Sequence, residues 1–221
     1  MTKPLAIIAG VGPGVGAAVA RRFAKEGYHV VLIARDAERL AEFVSGINTT
    51  GGVASSYSAD LSDHEQVRTV FTSILENEGS PEVLVWNAAI WDEKPALDLD
   101  PLDFDRQMRL GLTAALTAVN VVGDAMLARG RGSVLLTGGG LALAPQYGGA
   151  VPALTAVKSA LRGFAYASAP GFAEKNLRLA TVTIAGQVKS GSPFDPDRIA
   201  ATFWTAHTAA EPLVEYVFDG K

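Results

Sequence analysis

Apolar residues in this chain gather in short, largely unbroken runs, separated by longer stretches in which one recurs every three or four positions. The runs are Leu5-Ala6-Ile7-Ile8, Tyr28 to Ala34, Val83 to Trp86, Ser133 to Thr137 and Leu179 to Ile184. Each has the length of a strand and lacks polar alternation, as expected for strands covered on both faces. Val53 to Ala59 alternates and predicts a further strand, and Pro212 to Phe218 predicts a last one near the C-terminus. Helical spacing fills the intervals. Val15, Val19, Ala20 and Phe23 share one face of a helix over Val15 to Glu26, with Arg21, Arg22 and Lys25 off it. Strand and helix alternating in this way predict an α/β fold: a doubly wound parallel sheet in a single domain over residues 1–221.

The helix starts are also written in the residues. Asp36 can cap a helix through Leu40, Phe43 and Val44, fading by Gly51-Gly52. Ser62-Asp63-His64-Glu65 reads as a capping box with Ser62 at the N-cap, opening a helix that turns Val67, Val70, Phe71 and Ile74 inward. Asp100-Pro101 opens a long helix to about Ala128, apolar nearly all round from Leu110 to Met126, which predicts cover on more than one side. A helix over Ala153 to Ala169 is expected to kink or stop at Pro170-Gly171, and Asp195-Pro196 starts one through Trp204.

Composition narrows the function classes. The chain has 221 residues, 48% of them hydrophobic, enough for one sizeable core. There is no cysteine, which excludes disulfides and thiolate metal sites. A formal net charge of −4, with acids and bases interspersed, argues against nucleic acid or an anionic membrane as partner. The first strand begins within a few residues of the N-terminus, and no apolar run is read as approaching the length of a membrane span. The expectation is a cytoplasmic protein without a signal peptide.

Candidate chemistry lies where strands end. After the first run come Gly10, Gly12, Gly14 and Gly16, with Pro13 and Val15 among them, and then a helix. A strand, a glycine turn and a helix N-terminus form an anion site, because absent Cβ atoms admit a diphosphate to backbone N–H groups at the positive end of the helix. In parallel sheets ligands bind at the carboxyl ends of the strands, where strand order switches. Gly10, Arg35, Asp60, Asn87, Gly138 and Gly186 all fall at such ends. An acid about twenty residues past the glycines suits a ribose 2′-hydroxyl, whereas Arg suits a 2′-phosphate. Arg35 occupies that place, with an acid only at Asp36, so NADP(H) is favoured over NAD(H).

These residues, in this order, resemble the short-chain dehydrogenase/reductase superfamily over essentially the whole chain, which implies a Rossmann-type fold. Gly10, Gly14 and Gly16 match the family's Gly-x-x-x-Gly-x-Gly turn, with Ala9 where threonine is common. Asp60-Leu61 matches the pair that brackets the adenine, and Asn87-Ala88-Ala89 the Asn-Ala-Gly segment lining the adenine ribose. Gly186 and Val188 match the Pro-Gly-x-Val stretch whose backbone holds the nicotinamide amide, with Ala185 in place of proline.

The resemblance departs at the catalytic positions. The family places a proton-transferring tyrosine four residues before a lysine that lowers its pKa and bonds the nicotinamide ribose. A serine after the fifth strand holds the substrate oxygen, and an asparagine in the long helix completes a water relay. Here Lys158 is present, but Leu154 stands four residues before it. The serine position falls in Gly138-Gly139-Gly140, and the asparagine position is most simply Gly111. Lys158 is therefore the one candidate catalytic residue, and also a cofactor ligand.

Other residues carry weaker readings. Tyr147 either folds over the nicotinamide or packs on a neighbour, and Thr137 and Thr155 flank the same place. His29, His64 and His207 have no ligand spacing and read as surface or internally bonded residues, so no metal site is expected. Trp86 reads as core, while Trp91 is a candidate pocket wall. Three functions stay open: an NADP(H)-dependent oxidoreductase with rebuilt proton chemistry acting on a small molecule, a non-catalytic dinucleotide-binding sensor or partner subunit, and an isomerase or lyase in the same pocket. The family also implies a homo-oligomer, a dimer or tetramer, packed through the long helix and the helix carrying Lys158.

Overall fold

The computed structural model describes residues 3–221. Seven strands form one sheet in the order β3-β2-β1-β4-β5-β6-β7. They are β1 (Leu5–Ala9), β2 (His29–Ala34), β3 (Val53–Ser58), β4 (Val83–Trp86), β5 (Gly132–Gly139), β6 (Leu177–Ile184) and β7 (Glu215–Phe218). All six pairings are parallel. Order reverses between β1 and β4, which run side by side from Ala6 opposite Val83 to Ala9 opposite Trp86.

The uninterrupted apolar runs follow from cover on both faces. Leu5, Ile7 and Ala9 of β1 point into one core, with Phe71, Ala118, Val122 and Leu161. Ala6 and Ile8 point into the other, with Val19, Phe23, Ile199 and Phe203. The first face carries α3 (His64–Asn77), the long helix and α6 (Pro152–Ala173). The second carries α1 (Val15–Lys25), α2 (Ala37–Thr49) and α7 (Pro196–Thr208). The expected doubly wound α/β architecture is the one observed.

Several local expectations are corrected. The cap of α3 is Asp63, whose carboxylate accepts from the N–H groups of Glu65 and Gln66. Ser62 lies before the cap and gives both its N–H and its hydroxyl to Asp60, at 2.9 and 2.7 Å. Pro170 does not end α6, which runs on to Ala173. A proline removes one intrahelical bond, and here only the final turn lies beyond it.

The long helix comprises α4 (Pro101–Met108), a π turn (Arg109–Thr113) and α5 (Ala114–Arg129). Over Pro101–Arg129 it is, by length and composition, apolar enough to cross a membrane, with a window of mean hydropathy 1.5. The expectation that no apolar run reaches that length is thus overturned. Here α5 buries Ala114, Ala115, Ala118, Val119, Val122 and Met126 against the sheet.

At the amino ends of the strands, His207 bridges Ser133 (Nδ1 to Oγ, 2.9 Å) and Tyr28 (Nε2 to OH, 2.7 Å). The Tyr28 hydroxyl also donates to Glu82, which takes Arg131 at 3.1 Å. Burial pushes the His207 imidazole down to about 4, against a smaller opposing pull from Glu82. His64 bonds the hydroxyls of Thr117 and Thr113, and His29 that of Ser55. All three histidines are thus internally bonded.

Candidate functional site

At the switch between β1 and β4 the chain leaves a cleft of about 400 Å³. The backbone sets its floor. β1 ends at Ala9, and Gly10 turns with φ +90°, its N–H bonding Ile33 O at 2.9 Å. A Cβ at Gly10 would lie 2.4 Å from the Ala88 nitrogen, so the turn and the segment after β4 touch backbone to backbone. Gly16 is equally constrained, because its Cβ would meet Gly10 O at 2.8 Å. Gly12 and Gly14 differ: nothing lies within 4 Å of a Cβ there. The protein does not fill the space above them, and the open side faces the N-terminus of α1. That helix has no side-chain cap and no acid in its first turn. A bare positive helix end under an open glycine backbone fits a diphosphate.

One wall is the end of β2 and the start of α2. Arg35 and Arg39 are both exposed and line the cleft with Phe43. Asp36 caps α2, accepting from the Arg39 N–H at 3.0 Å. The end wall is Ala59, Asp60, Leu61 and Ser62. Hydrogen bonds from Ser62, first from its N–H, hold the Asp60 carboxyl below the usual range, and the guanidiniums of Arg35 and Arg106 add to this. Asn87, Ala88, Ala89 and Ile90 close the side below β4, and Arg106 and Leu110 come from the long helix.

Of the residues expected to hold a cofactor, Gly10, Gly12, Gly14, Val15, Gly16, Arg35, Asp60, Leu61, Asn87, Ala88 and Ala89 line this one cleft. Pro13 is exposed and does not line the cleft. Gly186 lies under the Phe194 ring, where a Cβ would come within 2.2 Å, and Val188 is exposed on the following loop. Neither reaches the cleft wall. Sequence reasoning missed Arg39, Phe43 and Arg106, although Arg39 lies one helical turn beyond Arg35 and was open to notice.

Lys158 lies on α6, 8% exposed, and its ammonium donates to Thr137 O at the end of β5 at 2.7 Å. The Thr137 hydroxyl donates to Asn87 Oδ1 at 2.9 Å, and Asn87 Nδ2 donates to Gly10 O at 2.8 Å. A continuous set of bonds therefore joins the lysine to the glycine turn. Burial alone brings the Lys158 ammonium down to about 8. An ammonium has three donors, and one buried with a single carbonyl partner has room for further acceptors such as ribose hydroxyls.

Leu154, Gly138, Gly139, Gly140 and Gly111 occupy the positions compared with the family's catalytic residues. Leu154 is buried at 8% exposure. A Cβ at Gly138 would meet the Thr183 hydroxyl at 2.4 Å, and one at Gly140 the Ala185 Cα at 2.9 Å. Of the three glycines, only at Gly139 would a Cβ approach the lysine, 3.2 Å from its Cγ. Gly111 lies in the π turn, packed so closely on Val157 that a Cβ would fall 2.2 Å from a methyl carbon. Thr155 bonds Val151 O within its own helix. Tyr147 is 79% exposed and outside the cleft wall. Trp91 bonds Glu93 and is exposed, while Trp86 is core, its indole N–H on Leu110 O.

Comparison with known proteins supplies the lineage. The sequence model of the short chain dehydrogenase family matches residues 4–191. A short chain dehydrogenase/reductase of Colletotrichum higginsianum is 30% identical over 175 residues, 78% of this chain and 65% of that protein. Short-chain dehydrogenase reductase 3a of Arabidopsis thaliana is 30% identical over 178 residues, 79% of this chain and 67% of the relative. The chain thus spans about two thirds of the length of these curated relatives. Among solved structures, a metagenomic short-chain oxidoreductase in complex with NADP is 29% identical, with a TM-score of 0.87 over 97% of this chain and 96% of that one. L-sorbose reductase from Gluconobacter frateurii, complexed with NADPH and L-sorbose, shares the fold at 23% identity, with a TM-score of 0.91 over 100% of this chain and 96% of that one. The match across most of the chain, with the glycine turn, Arg35, Asp60 and Asn87 assembled in one cleft, makes this protein a member of the short chain dehydrogenase family.

Proposed function

We propose that this protein is an NADP(H)-dependent oxidoreductase whose proton chemistry has been rebuilt or lost, acting on a small molecule that accepts hydride without a protein acid. The observation that carries the reading is the contrast between the two ends of the site. At the adenosine end the cleft has its glycine floor, its acid and its arginines. At the other end Lys158 keeps its place beside Leu154 and three glycines.

The bound dinucleotide would supply the hydride. Gly12 and Gly14 would leave its diphosphate room, Asp60, Asn87 and Ala88 would flank the adenosine, and Lys158 would offer its remaining donors to a ribose. A missing general acid typically costs about 10²–10⁴ in rate, and a missing oxyanion donor about 10²–10³ more, non-additively. Leucine and glycine cannot replace either group. An activated alkene or an iminium ion needs less help, because the iminium carries its own positive charge and the alkene delocalises the charge it gains. The test is a fluorescence titration with NADPH, followed by turnover assays on ketones, secondary alcohols, enones and cyclic iminium ions. Binding with turnover confined to the last two classes is expected; robust turnover of ordinary ketones overturns the reading.

Binding without redox turnover, as in a sensor or partner subunit, is the second reading. The bonded path from Lys158 through Thr137 and Asn87 to Gly10 favours it, since such a path serves binding whether or not chemistry follows. Binding with no turnover in any class would support it. We further propose a homo-oligomer through the outer face of the long helix and α6, where Leu102, Leu116, Leu127 and Tyr166 are exposed.

A further inference from the structure

We infer that Arg106, on the long helix, is a specificity-determining residue for the cofactor, closing a phosphate-monoester receptor from the side opposite Arg35 and Arg39. The inference rests on the NADP(H) reading and adds to it a residue from a separate element.

Arg106 and Leu110 lie four residues apart on one helix face and both line the cleft. The π turn that begins at Arg109 inserts a residue, so α4 can face the cleft while α5 faces the sheet. The acids beside Arg106 are committed elsewhere. Asp105 takes Arg109 at 2.7 Å, Asp103 takes Lys94, and Asp100 caps α4. Among the described residues Arg106 has no ion-pair partner.

The opposite wall presents the same imbalance. Asp36 caps α2 and pairs with the Arg39 guanidinium at 3.9 Å, and Asp60 takes the N–H and hydroxyl of Ser62. Arg35, like Arg106, has no ion-pair partner among the described residues, yet the fields of both reach the Asp60 carboxylate. Three guanidiniums against two engaged carboxylates leave one end of the cleft positive in a chain of net charge −4. A phosphate monoester, carrying nearly two negative charges near neutrality, answers that excess. A ribose hydroxyl does not. Guanidiniums from both sides can each give paired donors to different oxygens of one such group.

The test is calorimetry on the full chain with two fragments, adenosine 2′,5′-bisphosphate and adenosine 5′-monophosphate. Wild type is expected to prefer the bisphosphate by tenfold or more, and Arg106→Ala to lose about tenfold in bisphosphate affinity, a single charged contact. Affinity for the monophosphate should stay within about twofold, and Arg106→Lys should recover part of the loss. Loss on both fragments alike would make Arg106 a wall residue and overturn the inference. So would an unchanged bisphosphate affinity in Arg106→Ala while Arg35→Ala abolishes the preference, which leaves the NADP(H) reading intact. A wild type that does not distinguish the fragments overturns both.

Discussion

Lys158 places a cation in the protein interior. Its ammonium is buried with one carbonyl partner and no nearby carboxylate, and desolvation lowers it from 10.5 to about 8. The folded state therefore gives up this proton before the unfolded state does. Below pH 8 both states hold the proton and the penalty is full; between about pH 8 and 10.5 stability from this group rises. Lys158→Met, which keeps the stem, is expected to stabilise the cofactor-free protein by about 1–3 kcal/mol at pH 7 and to flatten that alkaline rise. The same change should weaken NADPH binding about ten- to a hundredfold. Urea denaturation from pH 7 to 10.5 and a titration with NADPH check the two halves. His207 has the opposite pH window. Its folded pKa lies near 4, below the 6.5 of the free side chain, so the unfolded state takes the proton first and stability falls from about pH 6.5 to 4. In His207→Gln that acid-side loss should shrink, read as a flatter urea midpoint over the same range. Tyr28, Glu82, Ser133, Arg131 and Arg178 surround the ring, and Glu82 tempers the effect.

At the scale of elements, local chemistry was legible where one residue acts on its immediate neighbours. Asp36, Asp100 and Asp195 cap the helices expected of them. The start of α3 was not, because Ser62 and Asp63 are both good caps and the choice rests on Asp60, which claims Ser62 from outside the helix. Asp63→Ala is expected to lower the urea midpoint more than Ser62→Ala does. The reverse order would restore the capping box. The site divides in the same way. Arg35 and the glycines could be recognised from distance along the chain, whereas Arg106 joins them only because the sheet brings the long helix over β4 and the π turn changes its facing. Gly111 likewise looked like a lost polar residue in the sequence. In the fold it is the place where the π turn touches Val157.

Across the whole molecule, the fold was readable because both sides of the sheet are covered, which leaves unbroken apolar runs with little else to become. What covers the outer side of the long helix is not encoded by that pattern. Leu102 is 76% exposed and Leu116 41%, on a stretch apolar enough to cross a membrane. A second copy of the chain is the proposed cover. Light scattering at micromolar concentration should give twice the chain mass or more, and Leu116→Arg should shift it toward the monomer.

The switch in strand order also bears on how the chain is made. β1 precedes the other six strands of this sheet in the chain, yet it ends near the centre of the sheet, flanked by β2 and β4. Once β2 has joined it, one edge of β1 waits for β4 while α2, β3 and α3 are still being translated. That edge consists of Leu5 to Ala9, every one buried in the finished protein. No hairpin can cover it early, because every pairing is parallel and needs a crossover. The half-made protein thus offers a naked, greasy strand edge to the ribosome's surroundings, and a chaperone that shields such edges would protect it until β4 emerges.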